Sequence, residues 1–262
     1  MEAKMQKLNH DWEKWFPFVT YQLKSKNNEN MVFCFHHAGG TASTYRKWTM
    51  KKGQYNFACV ELPGKGTRRK EKFITEFDLI LGPLSQSIAN VVGKNKFYFF
   101  GHSMGAAMAF YTADYLKKQH GIQPAKMVIA GRQAPNEENL TEFKTYMDDD
   151  ALIAEMGRYQ ATPKEMLENK DFLSFALPQV RRDYKLNESF IYRKECLTVP
   201  LILHTATEDF QADADIMRRW EKVTTEEIKI HQFEGDHFFI LNQGDNYWEN
   251  LVEDLSKEQE NV

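Results

Sequence analysis

A chain of 262 residues suits one α/β domain of ordinary size, or one such domain carrying an insertion. Its 34 basic and 37 acidic residues leave a formal net charge of -3, which points away from nucleic acid and from anionic membranes as partners. The opening stretch from Met1 to Lys14 lacks the apolar core of a signal peptide, and no run approaches the ~20 apolar residues of a membrane span, so a cytoplasmic protein is expected; a monomer is the expected state. Cys34, Cys59 and Cys196 are odd in number and sit in or beside apolar stretches, which suggests buried, reduced thiols.

In chain order, Trp15 to Tyr21 reads as a leading edge strand in which Pro17 is tolerable. Met31 to Phe35 is a stronger strand and runs into the small, glycine-bearing loop His36-His37-Ala38-Gly39-Gly40-Thr41-Ala42-Ser43. Such a loop after a buried strand exposes backbone N–H groups, the means by which an oxyanion hole is built. Tyr55 to Val60 is the next strand, closed by Glu61 to Gly66; Ile74 to Val92 is helical, with Gly82-Pro83 expected to break or kink it. Lys96 to Phe100 is a short aromatic strand, and Ala106 to Lys118 is a helix that stops at Gly121.

Between that strand and helix lies Gly101-His102-Ser103-Met104-Gly105, a Gly-x-Ser-x-Gly nucleophile elbow. The glycines leave room for a sharp reversal that holds the serine hydroxyl out at the tip. Lys126 to Ala130 adds another buried strand. From Asn136 to about Glu195 helical periodicity takes over: Leu152, Ile153, Met156 and Tyr159 share a face, followed by Met166, Leu167, Phe172 and Phe175 after a Thr162-Pro163 helix start. Roughly sixty helical residues between two sheet strands look like an insertion, dividing the chain into a core of 1–135 and 196–262 and an inserted segment of 136–195. Val199 to His204, a helix from Ala212 to Val223, the strand Ile228 to Phe233 and a closing helix from about Asp245 complete a mostly parallel sheet with helices on both faces.

An exposed serine hydroxyl is a poor nucleophile without a base, and the base needs an orienting carboxylate. Of the eight histidines, His237 is placed best, because it follows the last strand on the glycine turn Glu234-Gly235-Asp236-His237-Phe238-Phe239. The loop after Leu201 to Leu203 offers Glu208, Asp209, Asp213 and Asp215. Asp209 comes right after the strand end, Glu208 remains the alternative, and Asp213 and Asp215 suit the first turn of a helix. The expected triad is Ser103, Asp209 and His237.

These residues resemble the type II thioesterases, the stand-alone editing hydrolases of polyketide and nonribosomal peptide assembly lines. The resemblance spans nearly the whole chain. It is carried by Phe35 to Gly40, Tyr45 to Trp48, Leu62 to Arg68, Gly101 to Gly105, Gly131 to Pro135, Leu177 to Asp183 and Gly235 to Phe239. Two departures are His36, where the family often has Pro, and Thr205 to Glu208, where a Gly-rich turn often precedes the acid. The resemblance implies an α/β-hydrolase fold and a helical lid over an acyl channel. It also implies hydrolysis of acyl groups from the phosphopantetheine arm of an acyl or peptidyl carrier protein, without cofactor or metal. In that chemistry the oxyanion would lie between the backbone N–H groups of Ala38 and Met104. Arg181 and Arg182, near the lid, would either meet an acidic carrier or pair internally. The competing expectations are a general esterase, acyl-CoA hydrolase or acyltransferase on the same scaffold, and a non-catalytic carrier-binding protein.

Overall fold

The computed structural model describes residues 12–19, 29–137, 143–159 and 162–257. Among them run six strands: β1 (Met31–Phe35), β2 (Asn56–Cys59), β3 (Phe97–His102), β4 (Met127–Ala130), β5 (Leu201–Ala206) and β6 (Ile228–Phe233). They lie in the order β2-β1-β3-β4-β5-β6, and every neighbouring pair is parallel. All residues of β1, β3, β4 and β5 are buried, as continuous apolar runs must be when both faces of a sheet are covered. At the edge, β6 leaves Lys229 and Gln232 exposed.

The helices follow the expected alternation. They are α1 (Trp12–Trp15), α2 (Asp78–Val92), α3 (Met104–His120), α4 (Asp149–Arg158), α5 (Lys164–Leu167), α6 (Lys170–Glu188), α7 (Ala214–Arg218), α8 (Phe239–Asn242) and α9 (Asp245–Ser256). Strand residues alternate between two cores. Phe33, Phe99, Ile129 and Leu203 pack with Leu84, Ile88, Met108 and Phe110 from α2 and α3. Cys34, Phe100, Val128 and Ile202 pack on the other face with Trp48, Phe57, Tyr247 and Leu251, the period of two that a pleated strand imposes. No helix among the described residues is long and apolar enough to cross a membrane.

Three local expectations differ from what is found. Trp15 to Val19 form no strand: α1 ends at Trp15, and Phe16 and Val19 are buried beyond it, with the Phe16 ring 5.0 Å from Phe33; Thr20 and Tyr21 lie outside the described residues. Pro17 has no N–H for a ladder, so the segment is held by its aromatic side chains instead. Of the break or kink expected at Gly82-Pro83, the break is not found, since α2 continues to Val92. An interior proline costs about 3 kcal/mol, whereas the buried face Ile80, Leu81, Leu84, Ile88, Val91 and Val92 gains about 1.5–3 kcal/mol per large apolar side chain. Cys34 and Cys59 are buried and reduced, directly opposite one another in β1 and β2, but Cys196 is exposed.

The topology fixes where a site can form. From β1 the chain moves to β2 on one side and then crosses to β3 on the other, so the direction of winding reverses at β1. In an open parallel sheet the crevice lies outside the carboxyl ends of the strands at this switch. Those ends carry the His36–Gly40 loop and Ser103. Between β4 and β5 the helices α4, α5 and α6 stand apart from the sheet with a small core of their own, Phe143, Leu152 and Leu177. Leu186 near the end of α6 joins the main core and anchors this segment to it.

Candidate active site

Ser103 occupies the junction of β3 and α3 with φ 55° and ψ -119°, a conformation that a side chain adopts only under constraint. The constraint is visible on both sides. Its N–H donates to Ala130 O at 2.9 Å, and its carbonyl accepts from Ala106 N at 2.9 Å. A Cβ on Gly105 would come within 2.1 Å of Phe35 O, and one on Gly101 within 2.4 Å of Gly105 O. Only glycine lets α3 start this close to the end of β1.

The loop after β5 brings Asp209 to His237: Nδ1 of the imidazole donates to Oδ2 at 2.8 Å, with the carboxylate fully buried and the ring nearly so. Gln211 N–H donates to Oδ1 at 3.2 Å. Burial raises the Asp209 pKa, but the hydrogen bond and charge of His237 outweigh it and hold the carboxyl below its ordinary range. With Nδ1–H committed to Asp209, Nε2 of His237 is left as the basic nitrogen. Its ring is packed between Tyr159, 4.8 Å away between centroids, and Phe238 at 5.3 Å.

The other candidates are placed elsewhere. Glu208 is exposed, and its N–H donates to Gly235 O. Asp213 caps α7 by accepting from Ile216 N at 2.8 Å, as its position suggested, and Asp215 lies in the first turn of that helix. Asp236 accepts from Phe238 N at 2.7 Å. Arg181 is an internal partner, donating to Thr145 O and Met147 O and pairing with Asp149 at 2.7 Å, while Arg182 is exposed.

Ser103 and His237 line one cavity of about 460 Å³ together with Ala38 and Met104. Met104 is the first residue of α3, so its N–H has no acceptor within the helix. The loop carrying Ala38 is closed by Gly40 N–H to His37 O at 3.0 Å. Gly39, with φ 83°, donates its N–H to Oδ2 of Asp183 at 2.6 Å, and Lys65 forms a fully buried ion pair with the same oxygen. The cavity wall contributed by α4, by Tyr159 just beyond it and by α6 includes Met156, Phe172, Val180 and Tyr184. Part of the apolar stripe of the segment between β4 and β5 therefore faces this space, while Leu152 and Leu177 pack within the segment. Arg132, two residues beyond β4, also lines the cavity.

Behind the site, the carbonyl of His237 accepts from Nε2–H of His102 at 2.9 Å, which leaves Nδ1 of His102 buried without a partner. Burial, helped by His237, pulls the His102 pKa down to about 3, and burial with Lys65 does the same to His36. Between pH 6.5 and 3 the unfolded chain binds protons that these folded imidazoles refuse. Their contribution to stability is therefore full above about pH 6.5 and is lost as pH falls through that window, by about 1.4 kcal/mol per pH unit for each histidine. His102→Gln, which can still donate to His237 O, should remove one such contribution. Urea midpoints at pH 7, 5.5 and 4 will read it, and an unchanged slope would place the acid sensitivity elsewhere.

On the far side of β5, His204, His231 and Asp254 bring possible ligand atoms within 4.8 Å of one another. Oδ2 of Asp254 already takes His231 Nδ1 at 2.7 Å, and Lys257 stands 3.3 Å from Oδ1. The group is a hydrogen-bonded brace between β5, β6 and α9. Burial keeps His204 neutral, its pKa lowered.

Arg132, Asp183 and Lys65 are the residues at this site that the sequence did not mark for a role. Each lies in a stretch that carried the family resemblance, which was their only signal.

The chain is 32% identical over 249 residues to a protein of Brevibacillus parabrevis named linear gramicidin dehydrogenase LgrE, covering 91% of both chains. It is 28% identical to thioesterase PikA5 of Streptomyces venezuelae, covering 88% of this chain and 81% of that one. Its structure resembles that of the type II thioesterase BorB from the borrelidin biosynthetic cluster with a TM-score of 0.75, at 26% identity and covering 87% of this chain and 93% of that one. Residues 30–258 match the thioesterase domain family. The cavity at the carboxyl ends of β1 and β3, with its serine, histidine and buried carboxylate, thus sits in a chain that belongs to that family.

Proposed function

We propose that the protein hydrolyses acyl thioesters on the phosphopantetheine arm of acyl or peptidyl carrier proteins, clearing unwanted acyl groups from a polyketide or nonribosomal peptide synthetase. The observation that carries the chemistry is the 2.8 Å contact with buried Asp209 made by His237, which lines the same cavity as Ser103. The similarity to thioesterase PikA5 and to the type II thioesterase BorB of the borrelidin cluster supports the substrate class. The redox activity in the name of LgrE is not carried over, because this apparatus moves a proton and an acyl group and exchanges no electrons.

In this reading, Nε2 of His237 takes the proton of Ser103 as Oγ attacks the thioester carbonyl. The N–H groups of Ala38 and Met104 hold the tetrahedral oxyanion. The C–S bond breaks, and the departing thiolate takes the proton from His237. A thiol of pKa near ~8.5 leaves easily, so the imidazolium has less to do than in amide cleavage. Water then gives a proton to His237 and its oxygen attacks the acyl-Ser103 ester. Breaking the C–O bond releases the carboxylic acid, and the proton returns to Ser103. Thioester and water become acid and thiol. Asp209, ionised throughout, keeps the imidazole in the Nδ1–H tautomer. The segment of α4, α5 and α6 acts as a lid over the acyl channel.

The test compares kcat/KM on one acyl group presented by a carrier protein, by coenzyme A and by an aryl ester. The carrier-bound form is expected to lead by about tenfold or more, since its protein contacts are absent from the other two. Equal rates would make the protein a general esterase. A serine-directed phosphonate should label Ser103, and no labelling would leave only a binding function.

A further inference from the structure

We propose that Arg132 selects acyl groups that end in a free carboxylate, so that the substrates of Ser103 include dicarboxylic half-thioesters; this rests on the thioesterase reading above. Most of the cavity wall from α4 and α6 is hydrocarbon or aromatic and would suit a plain alkyl chain. A guanidinium in the same cavity is out of keeping with that purpose.

Arg132 is firmly placed. It follows Gly131, whose added Cβ would meet His102 at 3.2 Å and Asp209 Oδ2 at 3.3 Å, so its backbone leaves β4 at the level of the triad. Its carbonyl accepts from Trp220 Nε1 at 2.7 Å. Nη1 donates to Asn187 Oδ1 at 2.7 Å, and Cζ lies 5.6 Å from the centre of the Phe190 ring. None of these partners carries charge. Of the other arginines of the neighbouring elements, Arg158, Arg181, Arg193 and Arg219 each pair with a carboxylate, while Arg182 and Arg218 are exposed to water. Among the described residues no carboxylate pairs with Arg132. Burial brings its pKa down to about 10, which still leaves it a cation at neutral pH.

Arg132 is half-buried, with no counter-ion among the described residues, an unfavourable setting for a charge, and a chain that needed only a brace between β4 and α6 could use a neutral amide. A guanidinium presents five N–H donors in a planar fork that matches a carboxylate. Asn187 engages one nitrogen of that fork. A carboxylate at the far end of the acyl chain would supply the missing charge and accept from the remaining donors, while the thioester carbonyl lies at Ser103. Hydrolysis then releases a dicarboxylic acid.

The experiment uses N-acetylcysteamine thioesters, which carry neither the phosphate of the arm nor the carrier, so the acyl group is the only source of an anion. Succinyl is compared with 4-methylpentanoyl, whose branched end has the shape of a carboxylate without its charge. The wild-type enzyme is expected to favour succinyl in kcat/KM by about tenfold or more. That ratio should fall to about one in Arg132→Met and be kept in part by Arg132→Lys. Succinate should inhibit the wild type competitively, a readout that needs no folded variant. A wild-type ratio at or below one, or a ratio that Arg132→Met leaves unaltered, overturns the proposal. Cleavage of the neutral thioester without preference defeats the carboxylate assignment alone, whereas cleavage of neither defeats the thioesterase reading beneath it.

Discussion

Ser103→Ala is expected to lower thioester turnover by about 10⁴- to 10⁶-fold, the loss seen when a triad nucleophile is removed and only binding and the oxyanion donors remain. The fold should be unaffected, because the hydroxyl makes none of the contacts that shape the elbow; those run through the backbone of Ser103 to Ala130 and Ala106. A second substitution separates the chemistry from the strain. At φ 55° and ψ -119° any residue with a Cβ is held at a cost of about 1–3 kcal/mol. Glycine escapes that cost but loses about 0.5–1 kcal/mol in chain entropy. Ser103→Gly should therefore be as inactive as Ser103→Ala yet more stable by about 1 kcal/mol, which in a chain of this size raises the melting temperature by about 2–4 °C. Calorimetry on the two variants reads the difference. Equal melting points would mean that the turn stores no strain, and a Ser103→Ala enzyme with normal turnover would remove serine from the mechanism.

The elbow was legible in the sequence because its demands are local. Two glycines at fixed spacing, an aromatic strand before them and a helix after them leave little freedom in where Ser103 points. His237 and Asp209 were candidates because each follows a strand, and the 2.8 Å contact between them is the consequence of β5 and β6 lying side by side. The run Trp15 to Val19 suggests a strand, but burial of Phe16 and Val19 holds the segment without one. Pro83 lies in a helix whose buried face outweighs the lost hydrogen bond. Arg132, Lys65 and Asp183 carry no local signature at all. Their meaning depends on which charges share a cavity wall or meet across a span of 118 residues, as Lys65 and Asp183 do. Arg181 was equally open from sequence, and only the folded chain turns it towards Asp149.

Asp183→Ala should cost about 3–5 kcal/mol of stability, because it leaves the ammonium of Lys65 buried with no counter-charge. Both side chains are almost wholly inaccessible. Burial pushes the Asp183 carboxyl up in pKa, against the pull of Lys65 and of the Gly39 N–H. An apolar replacement of the whole pair avoids that desolvation, so Lys65→Met combined with Asp183→Leu should regain most of the lost stability. Activity should not return with it. Asp183 also holds Gly39 by its N–H at 2.6 Å, beside the Ala38 amide proposed to bind the oxyanion, and through α6 it ties the proposed lid to that loop. With the anchor gone, Ala38 is free to swing from its place, and losing one oxyanion donor is worth about 10²- to 10³-fold in kcat. The double variant is thus expected to melt near the wild type in urea while remaining slow, with the deficit in kcat rather than KM. If its turnover recovers together with its stability, the buried pair only supports the fold, and the oxyanion loop is positioned by its own turn at Gly39 and Gly40.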